Sequence, residues 1–202
     1  MNKGVVSVLV AYLIWGLYPF YFHAMQHVAP AEIVIHRVLW TFALLAVYLF
    51  CSRRWRWIQK AVTDRRTVAV FLMSSVLITA NWSTYTYAIV TNQTLEASLG
   101  YFMNPLVSVL LGTVFLKEKL NKAQMLAIVF ACAGVMWVTF KQGEFPALGL
   151  TLALSFGFYG LVRKMAPLGS LEGLTLETAF AFPVALLATF YFAGNGDLTF
   201  VH

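Results

Sequence analysis

Seven apolar stretches, each long enough to cross a lipid bilayer, dominate the chain. They run over about 4–22, 31–51, 67–90, 97–116, 123–140, 146–162 and 174–193. About 20 residues at 1.5 Å rise span the roughly 30 Å hydrocarbon layer as a helix. Lipid offers no water to backbone N–H and C=O groups, so a spanning segment must satisfy them internally. The stretches lack the alternation of barrel strands, which leaves helices. The expected fold class is all-α and polytopic, with seven transmembrane helices. Composition agrees: of 202 residues, 60% are hydrophobic and 11% charged, against about 25% charged in a soluble domain. So little charge cannot coat a soluble globule, and so much apolar content excludes disorder.

The first stretch is longer than the core of a cleaved signal peptide and lacks a small-x-small cleavage pattern after it, so it reads as a retained helix. The joints between stretches are short and polar. Assigned alternately to two sides, one side receives Lys3, then Arg53, Arg54, Arg56, Lys60, Arg65 and Arg66, then Lys117, Lys119 and Lys122, then Arg163 and Lys164. The other receives Lys141 alone. The asymmetry predicts a cytoplasmic N-terminus and, after seven crossings, an external C-terminus at His202. The net charge of +6 is then a topology device, and no nucleic-acid partner is expected. The joint 52–66, with Trp55 and Trp57, reads as an interfacial anchor.

Cys51 and Cys132 fit no metal spacing and no disulfide framework. His23 and His27 with Glu32 imitate a metal spacing but have no further ligand nearby in sequence. There is no glycine-rich phosphate loop, no G-x-S-x-G and no H-E-x-x-H, so ATP-driven transport and hydrolase chemistry are not expected. Neither a metal nor another cofactor is expected, and the chain is not read as an enzyme.

The chain repeats itself. AYLIWGL (11–17) aligns with SFGFYGL (155–161), placing Trp15 on Tyr159 and Gly16 on Gly160. EIVIHR (32–37) aligns with EGLTLE (172–177), placing Glu32 on Glu172 and Arg37 on Glu177. A repeat of five helices makes the second copy enter the membrane from the opposite face, the inverted arrangement of many secondary transporters. Residues 1–143 would form the first repeat and 144–202 the first two helices of the second. Repeat symmetry predicts a complete protein of about 280–300 residues.

AYLIWGLYP (11–19), EIVIHR (32–37), NWSTYTYA (81–88), EASLGYFMNPL (96–106), LLGTVFLKEKL (110–120) and SFGFYGLVRK (155–164) together resemble the RarD branch of the EamA family, within the drug/metabolite transporter superfamily. The resemblance covers essentially the whole chain. It implies ten helices in two inverted five-helix repeats, a multi-pass location in the bacterial inner membrane, and export of small metabolites or drugs. That branch usually carries a chloramphenicol-resistance permease label.

Ionisable groups inside spans cost about 2.5–3.5 kcal/mol each on insertion scales and are candidate functional groups. Here they are Glu32, His36, Arg37 and Glu177. Glu32 and His36 share a helix face; Glu32 lies at the outer mouth, with Arg37 roughly 8 Å deeper at 1.5 Å per residue. Arg37 can hold an anionic group or pair with a carboxylate, and His36 can carry a proton in exchange. Glu177 is expected three or four residues inside its span, at the cytoplasmic end. Asn81 and Trp82 fall near mid-membrane, followed by Tyr85, and Tyr101 and Asn104 fall in the outer half of the fourth span. With Trp15 these make a candidate aromatic and polar transport path suited to flat or amphipathic solutes. Tyr18 and Tyr21 read as an outer aromatic belt. The partners are then a small organic solute and the bilayer, with proton coupling as a candidate driving force. Two other readings stand beside this one: a membrane-embedded enzyme using Glu32 and His36 as acid and base, and a seven-helix receptor or sensor, which the cytoplasmic N-terminus disfavours.

Overall fold

A computed structural model describes residues 3–53, 55–143 and 145–196. Arg54 and the C-terminal stretch 197–202, including His202, lie outside the described residues. Every element among the described residues is helical: α1 (Lys3–Ala24), α2 (Pro30–Ser52), α3 (Arg56–Thr63), α4 (Arg65–Val90), α5 (Thr94–Phe115), α6 (Lys122–Gln142), α7 (Ala147–Lys164) and α8 (Ser170–Asn195). Six of them, α1, α2, α4, α5, α6 and α8, are long and apolar enough to cross a membrane. The seventh expected span, α7, is 18 residues long and ends in Arg163 and Lys164, and those two charges keep it out of that set.

The ends of the helices follow local chemistry. Pro30 opens α2 with its fixed φ and missing N–H. Asp64 caps α4, accepting from the N–H groups of Arg66 and Thr67. Asn121 and Gln124 form a reciprocal capping box on α6, and Gly143 closes that helix at φ 72°. α7 has no side-chain cap of its own. Glu96 of α5 supplies one from outside the helix, accepting from the Leu148 N–H at 3.1 Å.

Side-chain bonds fix which joints share an end of the bundle. Gln26 donates to Asn92 at 2.7 Å, joining the α1–α2 and α4–α5 turns, and the Glu96–Leu148 bond brings the start of α7 to the same end. At the other end Lys164 pairs with Glu118. The last two helices are embedded among the others: α7 packs against α4 and α5, and α8 against α2 and α4. α6 rests mainly on α5, and α1 mainly on α4.

Lipid tails are as apolar as leucine, so close approach and polar glue hold such helices together. At the α5–α7 seam a Cβ on Gly100 would meet the Gly149 carbonyl oxygen at 2.9 Å, and one on Gly157 would meet Val107 Cγ1 at 2.6 Å. Only glycine lets these backbones come so near. The polar glue lies on one face of α4, where Ser74, Ile78, Asn81 and Tyr85 are all buried at spacings of three and four.

One element is absent from the apolar pattern. The 52–66 joint contains α3, a short helix whose Ala61 is buried while Arg56 and Lys60 are exposed. Ala61 joins Phe71, Leu176, Trp57 and Leu168 in a small core under this end of the bundle. The basic joint is therefore a folded cap as well as a candidate anchor.

Candidate functional site

Two polar centres emerge, one on α2 and one on α8. Arg37 lies seven residues after Pro30, the first residue of α2. Glu177 lies seven residues after Ser170, the first residue of α8. At 1.5 Å per residue both are about 10 Å inside their helices. Counted from Leu174, where the apolar run begins, Glu177 is three residues in, and counted from the start of α8 it is seven. α8 begins four residues before the apolar run, because Ser170, Glu172 and Gly173 form a polar first turn.

The Arg37 centre is aromatic. The guanidinium carbon lies 4.1 Å from the Trp82 ring centroid and 5.9 Å from that of Tyr18. Tyr85 and Tyr101 are also within electrostatic range of the charge. The rings brace each other edge to face: Tyr85–Tyr101 at 5.7 Å, Phe22–Tyr85 at 5.8 Å and Tyr18–Phe22 at 6.0 Å. A cation on an aromatic face gains about 0.5–1 kcal/mol at exposed sites and about 2 when desolvated. A guanidinium stacked this way keeps its N–H edge free to fork onto a carboxylate or phosphate.

The expected site residues divide. Arg37, Trp82, Tyr85 and Tyr101 come together, and Tyr18, read as belt, joins them. Trp15 does not. It is exposed and pairs with Tyr12 at 5.8 Å, because α1 meets the bundle through its last turns, where Tyr18 and Phe22 join the core. Asn81 points elsewhere: its amide donates to the Leu152 carbonyl at 3.1 Å and to Ser155 Oγ at 3.0 Å. Those two bonds pin α4 to α7. Glu32 is buried at 2% exposure, not open at a mouth, and His36 is half-buried one turn further along α2. Asn104 keeps a buried Oδ1 with no hydrogen-bond partner among the described residues.

The Glu177 centre joins three helices. The carboxylate, 1% exposed, accepts from Ser74 Oγ of α4 and from Tyr159 Oη of α7 at 3.3 Å. It lies 3.7 Å from Arg163 Nε, also of α7. Ser75 Oγ donates to the Glu177 backbone carbonyl at 2.6 Å. Arg163 lies over Phe71, 5.3 Å from its centroid, and donates to the Gly169 carbonyl at 3.1 Å. Its path crosses α8 at Gly173, where a Cβ would fall 1.7 Å from Nη1.

Sequence reasoning missed Arg163, Ser74, Ser75 and Tyr159 as site residues. In the sequence Arg163 reads only as a topology-setting charge at the end of a span. Ser74 lies seven residues before Asn81 and eleven before Tyr85, about two and three turns along one face of α4, and that spacing is the available signal. Among the described residues no group of His, Cys, Asp and Glu is arranged to hold a metal ion.

Comparison with known proteins agrees with this architecture. Residues 2–140 match the EamA-like transporter family. The chain is 42% identical over 188 residues to the uncharacterized transporter YojE of Bacillus subtilis, covering 92% of this chain and 63% of that protein. It is 39% identical over 194 residues to protein RarD of Escherichia coli, covering 96% of this chain and 66% of that protein. A third relative, from Pseudomonas aeruginosa, is named chloramphenicol-sensitive protein RarD and is 29% identical over 203 residues. The chain thus spans 63% of the length of the first of these relatives and 66% of the second. No solved structure matches it. The chain belongs to the EamA-like transporter family, in its RarD branch.

Proposed function

We propose that the protein is a secondary transporter of the bacterial inner membrane that exports small organic solutes by alternating access, with its N-terminus cytoplasmic and proton exchange as the driving force. In this reading α7 is a seventh span. Residues 1–143 form one five-helix repeat, and 144–202 begin a second, inverted one, in a fold of ten helices. The reading is supported by the gathering of the basic joints at one end of the bundle. It is also supported by the matched depths of Arg37 and Glu177 in corresponding helices of the two repeats.

The observation that carries the solute site is Arg37 lying on Trp82 with Tyr18 beside it. The charge supplies an anchor for one anionic group, and the rings supply flat apolar surface. A small aromatic carboxylate fits both. Binding stabilises a folded protein by RT ln(1 + [L]/Kd), about 2.7 kcal/mol at a hundredfold excess over Kd. Purified protein should therefore melt at a higher temperature with benzoate or indole-3-acetate than with their neutral amides, and Arg37→Ala should abolish the difference. Equal stabilisation by acids and amides, or a difference that survives Arg37→Ala, refutes an anion site at Arg37.

A further inference from the structure

We propose that Glu177 is a proton-binding site, and that its charged form, paired with Arg163, latches α7 and α8 against α4. The proposal deepens the transporter reading by naming the group that takes the coupling proton. Its test needs no solute, so it stands or falls apart from binding at Arg37.

The argument starts from position. A carboxylate two turns inside a helix and 1% exposed is costly unless paired and hydrogen-bonded. Here every bond that offsets the cost comes from a different helix than its own. Ser74 belongs to α4, and Tyr159 and Arg163 to α7. The charge therefore holds three helices together, and two of them belong to the second repeat while the third belongs to the first.

The groups facing the carboxyl are few. α7 presents Tyr159 and Arg163, and α4 presents the neutral hydroxyls of Ser74 and Ser75. α3 offers Trp57 and Ala61 near Leu176. α2 meets α8 further along, with Ile35 and Val38 against Ala185. Arg163 is the one cation close to Glu177 among the described residues. It sits in the last turn of α7 with its side chain 17% exposed, one residue from the exposed Lys164, so water reaches the pair from that end. Its Nη1 is buried with no hydrogen-bond partner among the described residues. The arginine is held by few bonds and has a short way to solvent.

The step balances simply. A proton from water at that end moves onto a Glu177 oxygen, and carboxylate becomes carboxylic acid. Arg163 keeps its charge, loses its counter-ion and turns outward to water, retaining the Gly169 carbonyl as its nearest acceptor. With the pair gone, α7 and α8 lose their ionic tie, the Ser74 bond from α4 meets a neutral acid, and this end of the bundle is free to part. Loss of the proton restores the latch.

The test uses the full chain in liposomes of phosphatidylethanolamine and phosphatidylglycerol. Infrared difference spectra between pH 8 and pH 5 should show the C=O stretch of a buried protonated carboxyl. Glu177→Gln should abolish that band, whereas Glu32→Gln should leave it. In a background of Cys51→Ser and Cys132→Ser, a Thr178→Cys thiol beside the site reports opening. Its labelling by a water-soluble maleimide should rise about tenfold from pH 8 to pH 5 after correction for thiol ionisation. Glu177→Gln should label fast at both pH values. Ser74→Ala removes one donor and leaves the carboxyl; it should keep the band and label faster than the parent at pH 8. A parent spectrum without the band, a band that survives Glu177→Gln, or labelling that ignores pH overturns the proposal.

Discussion

Gly173→Ala is a one-carbon change whose sign depends on a residue ten positions away. In the parent, the new Cβ would lie 1.7 Å from Arg163 Nη1 and 2.4 Å from Cζ. The guanidinium is the free end of a flexible side chain, so it can move, and the cost is what it leaves behind. Departure removes its ion pair with Glu177 and its bond to the Gly169 carbonyl. Stripping one partner from a buried pair costs about 3–5 kcal/mol. Arg163 keeps some contact with water, so the low end applies, about 3 kcal/mol. Alanine in a helix interior recovers about 1 kcal/mol relative to glycine. The net loss should be about 2 kcal/mol. In an Arg163→Ala background the clash and the pair are both gone, and the same substitution should stabilise by up to about 1 kcal/mol. Reversible unfolding of the four proteins in mixed detergent micelles gives the cycle. Gly173→Ala that is neutral in the parent, or equally destabilising in both backgrounds, refutes the placement of Arg163 across α8.

Further predictions follow from other contacts. Asn81→Ala removes the bonds to Leu152 and Ser155 and should cost about 1 kcal/mol in the same unfolding assay, while leaving stabilisation by aromatic carboxylates intact, because the amide faces α7. Gly157→Ala drives a Cβ into Val107 and should destabilise by about 1–3 kcal/mol, with Val107→Ala restoring most of the loss. The Asp64 carboxyl is held below its ordinary pKa chiefly by the Thr67 hydroxyl and N–H. A depressed folded value means its contribution is complete above the ordinary range near pH 4 and fades as pH falls below it. Asp64→Asn should therefore lower the melting temperature at pH 7, with the gap to the parent closing in acid.

Much of the fold was legible because membrane helices announce themselves by length and hydropathy. The stretch read as 31–51 is α2 at Pro30–Ser52, and that read as 67–90 is α4 at Arg65–Val90. The misreadings have a common cause. α3 is eight residues long, and a short basic amphipathic turn gives no spanning signal. Arg163 looked like a loop charge because its partner, Glu177, is fourteen residues away on the next helix, and which face of α8 meets α7 is not written in either segment. As an aromatic residue of the first helix, Trp15 is expected in the same aromatic path as Arg37. The lean of α1 away from the bundle, a tertiary property, separates them. For Asn81 the sequence leaves the partner open between a helix and a solute, and α7 supplies it.

Uptake of a radiolabelled aromatic carboxylate into inside-out vesicles, with an imposed pH gradient, tests the central claim most directly. Vesicles carrying the protein should accumulate the label above empty vesicles. Accumulation should collapse with the gradient, and Arg37→Ala at equal expression should reduce it to background. Uptake that is unchanged by Arg37→Ala at equal expression, or no uptake of any organic anion by correctly inserted protein, would contradict the account.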